Sequence, residues 1–257
     1  MTQLVYDGSF EGLLTSIFEL YERKIGDARV VRNGSWQSEL TASYLEIIPD
    51  QKKAERVWNG LKQKLSVDKR NEIYQCFLSE LPEMEGTLVT FIRHVFDSKH
   101  SVEKDYSNKS VLAIEQIAHK VYREKHRMEA FVRFQRTTDD LYIASIDPDF
   151  NVLPLIISHF QERYADQHWL IYDNRRNYGI HYSKDTFSVQ EVRMEWEAIT
   201  HHEFLPASTC HEEELVYQSL WKNYFQTINI QARNNHKLHI RHVPVRYWKY
   251  LTEKRTS

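Results

Sequence analysis

Four side chains between residues 147 and 173 have the right chemistry to move protons. They are Asp147 and Asp149 in DPDF, His159 a helical stretch later, and Asp173 in YDNRRN. Carboxylates and imidazole are common general acids and bases. The same residues also have a structural reading, because Asp147 and Asp149 precede a helix, where aspartate is a favoured cap. Beside them stands a second chemistry. WLIYDNRRNYGIHY, residues 169–182, places Arg175 and Arg176 between two runs of aromatic and β-branched residues. The planar, permanently charged guanidinium suits phosphate recognition. A hydrophilic hairpin tip would use Asn174, Arg175, Arg176 and Asn177 with no ligand at all.

The C-terminal stretch ARNNHKLHIRHVPVRYWKYL interleaves cations with His, Tyr and Trp. Arg241, Arg246 and Lys249 could neutralise phosphates there, while exposed aromatic rings could stack on bases. Trp248 is expected to dock the terminus instead, or to stack if its ring is exposed. Arg127, in HKVYREKHRMEAFVRF, is expected at a helix C-terminus, where a cation suits the helix dipole and could also extend a basic surface. His236, His239 and His242 recur every third residue, and His201, His202, Glu203, Cys210 and His211 cluster in sequence. Neither set matches a zinc spacing, so neither a metal site nor a cofactor is expected.

These residues need elements to hold them. Phe10, Leu13, Leu14, Ile17, Phe18 and Tyr21 follow the i, i+3, i+4, i+7 stripe of a helix, with Ser9 as its cap. Residues 26–40 show no sustained period and read as a loop, and a short strand is expected at Tyr44–Ile48. Four helices follow: one along Ala54 to Leu65, capped by Asp50; one along Ile73 to Leu81, with Asp68 at its start; one along Leu88 to Phe96; and one along Ile114 to Tyr122. Near residue 130 the period changes from 3.6 to 2. AFVRF and LYIASI read as strands joined by QRTTDD. A helix follows through Leu155 to Tyr164, then the 169–182 hairpin, a strand near Phe187–Val192 and a last helix over about 211–232. The order predicts an α+β fold: a helical part over 1–129, then an antiparallel sheet of about four to six strands with packed helices over 130–257. One compact unit is expected, with Leu4–Tyr6 joining that later sheet.

Composition narrows the function classes. The chain has 257 residues, 41% hydrophobic, enough for a substantial core. Two distant cysteines exclude a cysteine-ligated iron–sulfur cluster within this chain and suit a reducing cytoplasm. No hydrophobic leader and no apolar run near 18 residues is present, so a cytoplasmic protein without a membrane partner is expected. Net charge is −2, but residues 231–257 carry seven Lys/Arg and one acid, or +6, which leaves −8 on the rest. A segregated basic tail is a local electrostatic feature that the overall sum hides.

YDGSFEGLLTSIFELYE, HRMEAFVRF, DPDFNVLPLIISHF, YADQHWLIYDNRRNYGIHY and PVRYWKYL together resemble a bacterial family of DNA-repair or DNA-metabolism proteins, a domain of unknown function. The resemblance runs in order along nearly the whole chain. It implies genetic context: members are typically encoded beside a radical-SAM protein of DNA modification or repair, and some are fused to a uracil-DNA-glycosylase-like domain. It supplies no catalytic residues. Three readings stay open here: an accessory protein that binds nucleic acid and works with a radical-SAM partner, a hydrolase or glycosylase-like DNA-processing enzyme using the Asp/His set, and a protein-interaction adaptor.

Overall fold

The computed structural model describes residues 2–34, 43–193, 209–228 and 240–254. The chain divides into two compact units, Met1–Tyr122 and Arg123–Ser257. The architecture is α+β.

In the first unit, β1 (Thr2–Tyr6) buries Leu4 and Tyr6 and is the middle strand of a three-stranded sheet. β2 (Ala28–Arg32) and β3 (Ser43–Ile47) pair with it in parallel on either side. Leu4–Tyr6 therefore does not join the sheet of the second half; its ladder is filled from both edges within its own unit. β2 falls inside the stretch expected to be a loop. ARVVR buries only Val30, so it shows no alternation, and the ladder to β1 rather than an apolar face makes it a strand.

α1 (Phe10–Glu22) starts where expected: Ser9 Oγ accepts the Gly12 N–H at 2.9 Å. Asp50 caps α2 (Gln51–Lys64) in the same way, and Ser66 caps α3 (Val67–Leu78), with Asp68 in its first turn. α4 (Met84–Asp97) follows Pro82, and α5 (Lys109–Phe131) leads into the second unit. Leu13, Ile17, Leu61, Ile73, Leu88, Phe91 and Ile92 form the core of the first unit, and the Cys76 thiol lies among them, fully buried.

AFVRF is not a strand. α5 runs to Phe131, and its inward stripe of Val111, Ile114, Ala118, Val121 and Met128 keeps helical spacing to the end. β4 (Gln135–Arg136) is short and pairs antiparallel with β5 (Leu141–Ile146). α6 (Leu153–Arg163) carries the chain to β6 (His168–Asp173), which lies parallel to β5. β7 (Tyr178–Ser183) and β8 (Ser188–Val192) complete an antiparallel meander, giving a five-stranded sheet in the order β4-β5-β6-β7-β8. β6 is the central strand and is buried on both faces from Trp169 to Asp173, which is why WLIYD reads as a continuous apolar run rather than an alternation. Trp169 stacks on its cross-strand partner Tyr182 at 5.3 Å.

α7 (Glu214–Ile228) presents Leu215, Val216, Tyr217 and Leu220 to solvent, each more than half exposed. Cys210, buried before it, bridges back to Thr137. Two 3-10 turns, Val245–Tyr250 and Thr252–Lys254, follow, and bury Tyr247, Tyr250 and Thr252. No helix among the described residues is long and apolar enough to cross a membrane.

Candidate functional site

The turn between β6 and β7 is built around one carboxylate. Asp173 is fully buried at the end of β6. Its Oδ1 accepts the backbone N–H groups of Arg175 (2.9 Å) and Arg176 (3.2 Å), and Oδ2 accepts Arg176 Nη1 at 2.9 Å. An aspartate that accepts N–H groups two and three residues on is a standard way to fix a turn. Burial pushes the Asp173 carboxyl above its ordinary range, while Arg176 and the two N–H groups pull it back.

The two neighbouring arginines have separate environments. Arg176 has a side chain only 10% exposed and also donates to the carbonyls of Pro148 (3.2 Å) and Asp149 (3.3 Å). It ties the turn to the DPDF loop. Arg175 is exposed, and its Nη1 reaches the Asp149 carbonyl at 3.2 Å. In a sequence they are indistinguishable; the fold makes one a brace and leaves the other facing solvent.

The DPDF loop does not cap α6. Val152 occupies the cap position and makes no side-chain cap bond. Asp149 Oδ2 instead meets Arg246 Nη2 at 2.5 Å, and Asp147 Oδ2 lies 3.7 Å from Lys249 Nζ. These four groups, with Arg175 and Val245, line an open cleft of about 560 Å³. The loop thus spends its carboxylates on the C-terminal 3-10 turn, a partner remote in sequence that capping rules do not anticipate.

Glu124 holds this arrangement from beneath. It sits on the inward stripe of α5, where spacing asks for an apolar residue, and its side chain is 1% exposed. It accepts the Asp149 N–H (2.9 Å), Arg127 Nη1 (3.2 Å), Arg246 Nη2 (3.4 Å) and the Tyr247 hydroxyl. An ionised carboxylate has about four acceptor sites, so four donors satisfy a charge that burial alone would make costly. Arg246 also donates to the Tyr247 oxygen at 2.5 Å, and its guanidinium lies 4.6 Å from that ring. Burial works against the Arg246 charge, but Tyr247, Asp149 and Glu124 hold its pKa above the ordinary arginine value. Burial raises the Tyr247 phenol as well, and Glu124 beside it adds to that. Sequence reasoning anticipates Tyr247 only as an aromatic ring that docks the C-terminus, and gives Glu124 no role. A charged residue on an otherwise apolar helical stripe was the available signal for Glu124.

The remaining candidates lie apart from the cleft lining. His159 stands edge-on to Phe160 at 5.0 Å on α6, and the cleft is lined by Asp147 and Asp149 but by neither His159 nor the buried Asp173. Trp248 is half-buried: its Nε1 donates to the Val243 carbonyl at 2.9 Å, and Lys254 lies over its ring at 5.1 Å. Arg241 is exposed in the helical residues that end before Val243. His236, His239, His201, His202 and Glu203 lie outside the described residues, and His242 is exposed. Among the described residues no group of three His, Cys, Asp or Glu is placed to hold a metal ion.

Residues 82–253, more than half of the chain, match the DUF4130 family, described as a domain of unknown function. The chain belongs to this family. The DUF4130 match covers α4, α5, the five-stranded sheet and the whole cleft described above. No curated protein matches the chain.

Proposed function

We propose that this DUF4130 chain is a nucleic-acid-binding accessory protein of DNA metabolism, and that Arg175, Arg246 and Lys249 contact backbone phosphates. The observation that carries the reading is their presence together on one open cleft, with Arg175 exposed at a turn that Asp173 and Arg176 make rigid. Asp147 and Asp149 pair with two of these cations, so a phosphate would replace carboxylates already in place. That competition, with a net charge of −2, makes for modest, sequence-independent affinity. A radical-SAM protein as working partner follows from the sequence resemblance alone.

Fluorescence anisotropy with labelled duplex DNA tests this. Three neutralised phosphates give a log–log salt slope of about −2.7, or on the order of 40-fold weaker binding at 200 mM than at 50 mM salt. The Arg175→Ala, Lys249→Ala double variant should flatten the slope to about −0.9 with the melting temperature little changed. Asp149→Asn, which removes a competing carboxylate 43% exposed, should tighten binding by up to about fivefold, the scale of an exposed ion pair. Salt-independent binding, or a double variant with the wild-type slope, rules the reading out.

One observation supports the adaptor reading beside it. The outward face of α7, with Leu215, Val216, Tyr217 and Leu220, is apolar and adjoins a groove of about 720 Å³ lined by Trp221 and Phe134. Exposed apolar surface of this kind suits a protein partner. Leu220→Glu should then abolish co-purification with the radical-SAM protein and leave DNA binding unchanged.

A further inference from the structure

The first unit has an open strand edge. β2 pairs with β1 on one side only, and no strand lies on its other side among the described residues. The hydrogen bonds at its two ends fix which backbone groups face outward. The Thr2 N–H donates to the Asp27 carbonyl at 3.1 Å, and the Asn33 N–H donates to the Tyr6 carbonyl at 2.7 Å. Along a strand the N–H and C=O of one residue point to the same side, and the side alternates from residue to residue. Residues 27, 29, 31 and 33 therefore face β1, and Ala28, Val30 and Arg32 turn their backbone groups away from the sheet.

Those groups open onto a groove. Residues 29–32 all line a cleft of about 840 Å³. Four consecutive strand residues can share a cleft only if it runs along the strand's edge, because alternate side chains point to opposite faces. The opposite wall carries the α4 cap Glu83, Thr87 and Thr90 of α4 and Lys109 at the start of α5, with Leu81, Pro82 and Met84 beside them. Charge on the walls is mixed. Arg29 pairs with Glu83 at 3.8 Å and Arg32 with Glu80 at 3.7 Å, both long and partly exposed. Balanced walls do not favour a polyanion.

The geometry points to an extended peptide segment of a partner protein, added to the sheet as a fourth strand along β2. Its main chain would pair with Ala28, Val30 and Arg32, and side chains of both signs would meet the mixed walls. This surface is independent of the cleft proposed for phosphates.

The test uses the full chain labelled with nitrogen-15 and the probe acetyl-Lys-Thr-Val-Thr-Val-Glu-amide, a mixed-charge β-former. The amide resonances of Val30 and Arg32 should shift on titration and their exchange with solvent should slow. A probe N-methylated at alternate amides, which cannot pair along that edge, should bind about tenfold more weakly. Thr90→Trp, filling the groove from an exposed position, should abolish the shift without lowering the melting temperature. Three results would overturn the assignment: no shift with a Val30 amide already protected in the unliganded chain, the same shifts produced by duplex DNA, or the same shifts produced by raising protein concentration alone. The last two would give the edge to nucleic acid or to a second copy.

Discussion

Asp173 and Glu124 are carboxylates with almost no access to water, and each is useful because its oxygens are fully engaged. Removing a partner from a buried pair leaves the other charge stranded. Asp173→Ala should therefore destabilise the second unit by about 3–5 kcal/mol, since Arg176 would remain buried without its carboxylate. Asp173→Asn keeps an oxygen for the Arg175 and Arg176 N–H groups but also strands the Arg176 charge, so it should recover only the part of the loss that belongs to the turn. Denaturant melts of the two variants check this; equal losses would mean the ion pair rather than the turn dominates. The sequence pointed to Asp147, Asp149, His159 and Asp173 because carboxylates and imidazole can move protons, and to Arg175 and Arg176 because a guanidinium suits phosphate. His159 lies outside the cleft. The sequence could not separate Arg175 from Arg176, since exposure is decided by where the DPDF carbonyls sit. Nor could it show that Lys249 and Arg246 return to the loop a hundred residues earlier, because such pairing leaves no local pattern.

At the level of elements, legibility followed periodicity. The helices with wide apolar stripes were readable, and so was the 169–182 hairpin, whose strands pair Trp169 with Tyr182 and Ile171 with Ile180. β2 was not, because one buried residue gives no period. The end of α5 was misread because Phe131, Val132 and Phe134 are as good in a strand as in a helix. Within the hairpin, Gly179 has a purpose that composition hides. A Cβ there would lie 2.9 Å from the Ile171 carbonyl oxygen and 2.9 Å from the Tyr172 ring, closer than atoms pack. Gly179→Ala should cost about 1–3 kcal/mol by overpacking the central strands. Replacing Gly86, whose Cβ would meet nothing within 4 Å, should cost far less at the first turn of a helix. Thermal denaturation of both variants compares the two.

Across the molecule, stability should depend on acid through carboxylates in both units. In the first, Lys53 and Arg23 hydrogen-bond Glu19 and hold its pKa below the ordinary 4.5. In the second, burial would raise Glu253, but Arg133 at 2.8 Å and the Trp221 N–H outweigh it and leave it lowered. Both glutamates bind protons less readily when folded. The stability they add is present above pH 4.5 and lost as pH falls through their lowered values. Asp173 has the opposite sign, because its raised pKa favours the folded state as pH falls toward 3.8. Asp105, which Ser107 and His94 hold low, acts in the same direction as the two glutamates, and Asp173 alone among the shifted carboxylates opposes them, so stability is expected to fall below pH 4.5. Calorimetry from pH 3 to 7 should show it, and Glu253→Gln should flatten the curve for the second unit. A melting temperature that rises on acidification contradicts the balance.

The two buried thiols, one in each unit, make the chain its own stopwatch. Burial pushes the Cys76 thiol up to about 12 and raises Cys210 as well, so neither forms a reactive thiolate at neutral pH while its surroundings stay closed. Alkylation then proceeds only through opening. A pulse of iodoacetamide followed by mass spectrometry of the peptides around residues 76 and 210 would time the opening of each half separately, with no engineered label. Cys76, fully inaccessible, should lag behind Cys210, which is 8% exposed.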